Sequence, residues 1–260
     1  MHELTALRFT DMNLFWELHS GLPREGPGRD EATSEALRSL TGLPPAPRIL
    51  DIGCGPGMQT LVLARETRGS ITAVDTHQPF LDELTRRAAR AGLSDRIETI
   101  NASMKALDFS DRTFDLIWSE GAIYVMGFPE GLRAWKRLLK PDGAIAVTEL
   151  SWLGSSLPDG AKRFWEERYP AMTDVSENLR IMESAGYSLV HHFVLPEHSW
   201  WDHYYSPLER RIQALKRSYQ DNQEAMEFLD GEQQGIDLYR RCSASYGYVF
   251  YIARNIGGHP

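Results

Sequence analysis

The stretch Arg48-Ile49-Leu50-Asp51-Ile52-Gly53-Cys54-Gly55-Pro56-Gly57-Met58-Gln59-Thr60 decides how this chain is read. An apolar run ends in an acidic residue, glycines follow at every second position, and helix-forming sequence begins at Met58. The pattern reads as a β-strand, a tight turn and a helix N-terminus. Glycine permits positive φ and lets a ligand approach the backbone closely. The free N–H groups of a first helical turn attract anionic or polar groups. A dinucleotide fingerprint would place glycine at 53, 55 and 58, but here the third glycine is at 57 and position 58 is Met. The plain alternative is a glycine-rich turn of some other α/β protein.

Outward from this turn, strand and helix signals alternate. Strands are expected at 48–53, 70–75, 97–100, 114–118 and 144–149, with helices at 57–67, 77–91 and 129–140. Such alternation implies a doubly wound α/β sheet, mostly parallel, with right-handed crossovers and a binding crevice at the carboxyl ends of the strands. Before it, residues 1–46 read as an N-terminal helical cap. Leu4, Leu7, Phe9, Met12, Leu14, Phe15, Trp16 and Leu18 suggest one or two short helices, Ser20–Gly28 a loop, and 30–42 a helix with Asp30 as N-cap and Gly42 as its stop. After it, residues 47–260 form the main domain. Ser151–Pro158 reads as a loop, 159–169 and 175–185 as helices, 187–195 as a strand, about 196–244 as a helical insertion, and 246–253 as the final strand. The tail Gly257–Pro260 is expected to fray.

Composition narrows the function classes. A chain of 260 residues with 42% hydrophobic and 25% charged residues suits one elaborated α/β domain. Its two cysteines, Cys54 and Cys242, give no disulfide framework or zinc motif, and no metal is expected. The net charge of −8 lacks the basic stripe of a nucleic-acid binder. The basic clusters at Arg86-Arg87 and Arg210-Arg211 read as solvated helix faces. No apolar run reaches membrane-spanning length and the N-terminus is unlike a signal peptide, so a cytoplasmic protein with a small-molecule substrate is expected. A homodimer is compatible with this composition.

Asp51-x-Gly53-x-Gly55-x-Gly57 resembles motif I of the class I S-adenosylmethionine-dependent methyltransferases. The turn residues Asp51, Gly53, Cys54, Gly55 and Gly57 are then cofactor-binding candidates, with the Cys54 side chain a small buried filler rather than a nucleophile. Asp75 ends the second strand, where an acidic residue accepts bonds from ribose hydroxyls; its alternative is a cap on the following helix. Thr76 shares that edge. After the third strand such enzymes often carry an Asp for the adenine amino group. This chain has Ala102, leaving Ser103 and Met104 as contacts or as loop filler and core plug. After the fourth strand, Glu120 is a candidate to position the cofactor or accept a proton, or else a structural carboxylate. Tyr124 is a substrate-side candidate.

The stretch His198-Ser-Trp200-Trp201-Asp202-His203-Tyr204-Tyr205 reads either as a substrate lid or as an aromatic plug pinning the insertion. Its rings would attract a cation by roughly 0.5–2 kcal/mol each. Trp152, Trp200, Trp201 and Tyr204 are the substrate-binding candidates alongside Tyr124. Proton acceptors, needed only for a neutral nucleophile, would come from Glu120, His19, His198 or His203.

Together with Glu25-Gly-Pro-Gly28, Glu31-Ala-Thr33, Ser103-Met104, Ile117–Tyr124 and Tyr246–Tyr251, these motifs resemble a bacterial group of class I methyltransferases distantly related to the quinone-biosynthesis methyltransferases. The resemblance implies a Rossmann-like seven-stranded sheet with an antiparallel last strand. It also implies a Gly26–Gly28 loop closing over S-adenosylmethionine, with Gly28 against the cofactor. The expected activity is SN2 methyl transfer to a small molecule. A cofactor-binding regulator without turnover and a dinucleotide-dependent oxidoreductase are the other readings.

Overall fold

The computed structural model describes residues 9–256. Leu4 and Leu7, assigned above to a first helix, and the Gly257–Pro260 tail lie outside the described residues. The described residues begin with α1 (Phe9–His19) and α2 (Asp30–Ser39). The alternating core follows: β1 (Arg48–Ile52), α3 (Met58–Glu66), β2 (Ser70–Asp75), α4 (Gln78–Ala91), β3 (Ile97–Asn101), β4 (Phe114–Ser119), α5 (Phe128–Lys136) and β5 (Leu139–Trp152). Then come α6 (Asp159–Arg168), α7 (Val175–Ser184), β6 (Tyr187–Val194), α8 (His198–Trp200), a π-helical turn (Trp201–Tyr205), α9 (Ser206–Ser218), α10 (Gln223–Cys242) and β7 (Tyr246–Asn255).

The strands form a seven-stranded sheet in the order β3-β2-β1-β4-β5-β7-β6. β1 pairs in parallel with β2 and β4, and β7 lies antiparallel between β5 and β6. The expected Rossmann-like sheet with an antiparallel last strand is therefore present. The strand order reverses between β1 and β4, which opens the crevice above Gly53 and Ser119. The middle strands read as unbroken apolar runs because both faces are covered: Ile49, Leu50, Ile52, Leu116, Ile117 and Trp118 are all fully buried.

Several boundaries differ from the sequence reading. β5 starts at Leu139, where it pairs with Phe114 of β4, and runs through Pro141-Asp142-Gly143 and on through Ser151 and Trp152, because β7 pairs with it from Ala144 to Trp152. The expected helix 129–140 consequently ends at Lys136 and the expected loop at 151 begins later. Asp30 is not the N-cap of α2; Arg29 holds that position without a side-chain cap, and Asp30 accepts a bond from Arg24 instead. Gly42 does not stop that helix, which ends at Ser39.

The first two helices pack against the core. α1 touches α9 and α10, and Trp16 stacks on His77 at 3.6 Å at the start of α4. α2 packs on α3. Among the described residues, no helix is long and apolar enough to cross a membrane.

Candidate active site

The glycines of the β1–α3 turn all have positive φ, but each has its own surroundings. A Cβ on Gly53 would lie 2.4 Å from the Ala122 Cβ, and one on Gly57 would lie 2.2 Å from Leu84 Cδ1. These two glycines let the turn pack against the segment after β4 and against α4. A Cβ on Gly55 would meet only the Glu25 side chain, at 3.5 Å. Gly55 is thus the glycine whose open side faces the crevice.

Around the turn lie buried acids. Asp51 is fully buried; its Oδ2 accepts bonds from Thr60 Oγ1 (2.6 Å) and Gln59 Nε2 (3.3 Å), while Oδ1 has no partner. Burial, helped by the nearby Glu120 and Asp75 charges, pushes its pKa up to about 7. Asp75 accepts from the backbone N–H groups of Gly55 and His77, both at 2.9 Å. It caps the entry to α4 and ties the glycine turn to β2 at once. Burial raises its pKa. Cys54 is buried, and burial drives its thiol well above the ordinary range, which suits a filler and not a nucleophile.

Glu120 is engaged within the protein through both carboxylate oxygens. Its Oε1 accepts from Thr33 Oγ1 (2.7 Å) and Trp118 Nε1 (2.9 Å), and its Oε2 accepts from Arg24 Nη1 (3.0 Å). The Glu120 and Arg24 side chains are only 4% and 5% exposed. With its oxygens engaged this way, Glu120 is poorly placed to take a proton. The pair also holds the Arg24–Gly28 segment over the turn. Gly28 belongs to this brace, because its N–H donates to Ser199 O (3.0 Å) and its Cα packs beside Arg24 and Glu120. Gly28 itself lines no cavity described here; its neighbours Gly26 and Pro27 do.

Two cavities meet at Gly26 and Pro27. The first, with about 330 Å³ of empty volume, lies between the glycine turn and the segment above it. Its walls include Arg24, Glu25, Gly53, Gly55, Gln59 and Glu120. The second, about 550 Å³, is an aromatic chamber walled by Phe164, Trp165, Trp200, Tyr204, Tyr205 and Tyr248, with Arg168 and Glu232 as its charged members.

The aromatic stretch is helical, and helical spacing sorts its residues. Trp200, Tyr204 and Leu208 follow at intervals of four, share one face and line the chamber. Trp201 lies outside the chamber under Arg240, whose guanidinium carbon is 4.9 Å from its ring. His198 is exposed, and His203 sits half-buried in the field of Glu31 at the surface. Neither histidine reaches a cavity wall, so the structure does not bring these two proton-acceptor candidates to the site. His19 is buried, with Nδ1 2.7 Å from Glu25 Oε2.

The remaining candidates divide similarly. Met104 is half-buried, with its methyl 3.4 Å from where a Gly53 Cβ would sit. Ser103 is exposed and bonds its own loop at Lys105 N, and Thr76 is exposed at the end of β2. Tyr124 stands edge-on to Tyr169 at 6.1 Å, and burial pushes its phenol up to about 12. Trp152 packs edge-on against Tyr246, which is also met edge-on by the chamber residue Trp165.

Sequence reasoning missed Arg24, Glu25, Gln59, Thr60 and Glu149. Glu149 is 2% exposed near the end of β5, and burial pushes its pKa up to about 8. Its signal was one acid inside the apolar run Ala144–Leu150. Among the described residues no cluster could hold a metal ion.

A methyltransferase-domain family model matches residues 49–143, the segment that carries the glycine turn, Asp75 and Glu120. Residues 49–143 are thus similar to methyltransferase domains. The chain is 26% identical over 195 residues to a sterol 24-C-methyltransferase of Neurospora crassa, covering 71% of this chain and 51% of that one. It is 31% identical over 124 residues to a ubiquinone/menaquinone biosynthesis C-methyltransferase of a Ruegeria species, covering 47% and 48%. The chain spans about half the length of these curated relatives. Its fold is shared with an S-adenosylmethionine-dependent methyltransferase of Geobacter sulfurreducens solved with S-adenosylhomocysteine. There the TM-score is 0.78 at 21% identity, over 93% of this chain and 97% of that one.

Proposed function

We propose that this protein transfers a methyl group from S-adenosylmethionine to a small-molecule acceptor. The observation that carries the reading is the shared wall: Gly26 and Pro27 border both the cavity over the glycine turn and the aromatic chamber. Donor and acceptor sites would then adjoin across one short segment.

The residues present fit the donor. Asp51 Oδ1 and Glu25 Oε1 are buried acceptors without partners, and Asp75 stands beside them. Acids facing a glycine turn suit a ligand that carries sulfonium and ammonium charges. When bound, S-adenosylmethionine supplies an electrophilic methyl on sulfur. The turn residues Gly53–Gln59 would hold its methionine end, and Asp75, with Thr76 and Met104 nearby, its nucleoside end.

The protein's own contribution is orientation and exclusion of water. Holding two reactants in line can lower a barrier by about 7–11 kcal/mol. The Arg24–Glu120 pair fixes the separating segment, and the rings of Trp200, Tyr204 and Tyr248 supply a dry wall for the acceptor. Each ring also stabilises positive charge passing from donor to product, by about 0.5–2 kcal/mol. The relatives are named for sterol and quinone methylation, and an aromatic chamber of this size suits a ring-bearing or apolar acceptor. The domain division proposed is a helical cap over 1–46 and a catalytic domain over 47–260, the insertion at about 196–244 supplying one chamber wall.

Incubation with methyl-labelled S-adenosylmethionine and a fractionated metabolite extract tests the reading. Label should pass to a small molecule in at least one fraction. Tight binding of the donor with no transfer to any fraction would favour a regulator without turnover.

A further inference from the structure

Glu25 is half-satisfied. Its Oε2 is engaged by His19 Nδ1 at 2.7 Å, but its Oε1 is buried and has no hydrogen-bond partner. It lines the cavity over the glycine turn together with Gly53, Gly55 and Gln59. Its Cγ is the atom nearest the open side of Gly55. The charged and titratable groups around it are His19 from α1, Asp75 from β2, Arg87 from α4 and Tyr204 from the π-helical turn. None of them bonds Oε1. Arg87 is engaged elsewhere, with Glu83 (2.8 Å) and the Pro23 carbonyl (3.0 Å). A buried carboxylate oxygen without a donor is costly, by about 1–3 kcal/mol or more for a charged group. Burial accordingly raises the Glu25 pKa, His19 opposing.

A cation brought into this cavity would complete the carboxylate. Contacts of the Leu22–Arg29 segment also show why Glu25 is held there: Arg24 is pinned to Glu120 on one side, and His19 fixes the Glu25 carboxylate on the other. We infer that Glu25, oriented by His19, is a specificity-determining residue that recognises a positively charged centre on the methionine end of the bound donor. This rests on the donor-site reading above. It assigns to the separating segment a recognition task besides closure.

Calorimetric titration of the full chain and of Glu25→Gln with three ligands tests it. S-adenosylmethionine carries sulfonium and ammonium, S-adenosylhomocysteine carries ammonium only, and 5′-methylthioadenosine carries neither. Glutamine keeps the volume and an acceptor oxygen but loses the charge. The expected result is a weakening of about 10-fold or more for S-adenosylmethionine, the scale of one charge-assisted bond, with less than about 2-fold for methylthioadenosine. Loss confined to S-adenosylmethionine identifies the sulfonium as the recognised charge, and equal loss for S-adenosylhomocysteine identifies the ammonium; both support the inference. Equal weakening of all three ligands would make Glu25 a shaping residue only and overturn it, as would unchanged affinities. If the unsubstituted chain binds none of the three, the donor-site reading itself fails.

Discussion

Gly55 and Gly57 sit two residues apart in one motif, and their substitution by alanine should have opposite consequences. At Gly55 φ is +52° and the added methyl would point at Glu25 Cγ, 3.5 Å away, an ordinary contact. The stability cost is then only that of left-handed backbone, about 1–2 kcal/mol, or roughly 2–8 °C in Tm for a domain near this size. The methyl would occupy the donor cavity, so S-adenosylmethionine affinity should fall by about 10-fold or more, one lost charge-assisted contact's worth. At Gly57 φ is +81° and the methyl would lie 2.2 Å from Leu84 Cδ1, inside the packed interface with α4. Overpacking of about 1–3 kcal/mol adds to the backbone strain, and Tm should drop about twice as far as for Gly55→Ala. Thermal unfolding and calorimetric titration of both variants read the two effects. A Gly55→Ala protein that binds S-adenosylmethionine normally would refute the assignment of the turn's open side to the donor. A Gly57→Ala protein as stable as the parent would refute the packing argument.

Glu120→Gln should destabilise the fold by about 3 kcal/mol, because it leaves the buried Arg24 guanidinium with only the more exposed Asp30 as a charge partner; urea unfolding checks this, and an unchanged midpoint would contradict the bracing role of the Arg24–Glu120 pair. Asp51 and Glu149 bind protons in the fold above their usual carboxylate range. Their contribution to stability is full near pH 4 and is lost as pH rises through about 7 and about 8. The ligand-free protein should therefore lose stability between pH 5 and pH 8, on the order of a few kcal/mol in all, read as a falling Tm, and Asp51→Asn should flatten the lower part of that slope. Trp200→Ala should impair acceptor methylation more than Trp201→Ala, since Trp200 walls the chamber and Trp201 lies beneath Arg240; steady-state kinetics with any identified acceptor would show it, and the reverse order would contradict the chamber assignment.

The sheet was legible because its strands are short apolar runs punctuated by turn residues. Ser70–Asp75 matched its expectation to the residue, since Gly69 and the helix after His77 bound it on both sides. The ends of β5 were not legible. Pro141-Asp142-Gly143 reads as a turn, and only pairing with β7, about a hundred residues later, extends the strand through Trp152. The donor site was legible where it is local, in Asp51–Gly57 and Asp75. The brace of Arg24 on Glu120 joins residues 96 apart in sequence, so no local pattern announces it. His198 and His203 drew attention by composition. The four-residue spacing of Trp200, Tyr204 and Leu208 separates the chamber face from the histidines once the helical register of the stretch is known.

A crystal structure with S-adenosylmethionine bound would show the donor site outright. The methionine end is expected over Gly53–Gly55 beneath Glu25, the ribose at Asp75, and the sulfonium methyl directed across Gly26–Pro27 toward the chamber of Trp200, Tyr204 and Tyr248. A methyl group directed away from that chamber, or a donor bound elsewhere than the glycine turn, would contradict this expectation.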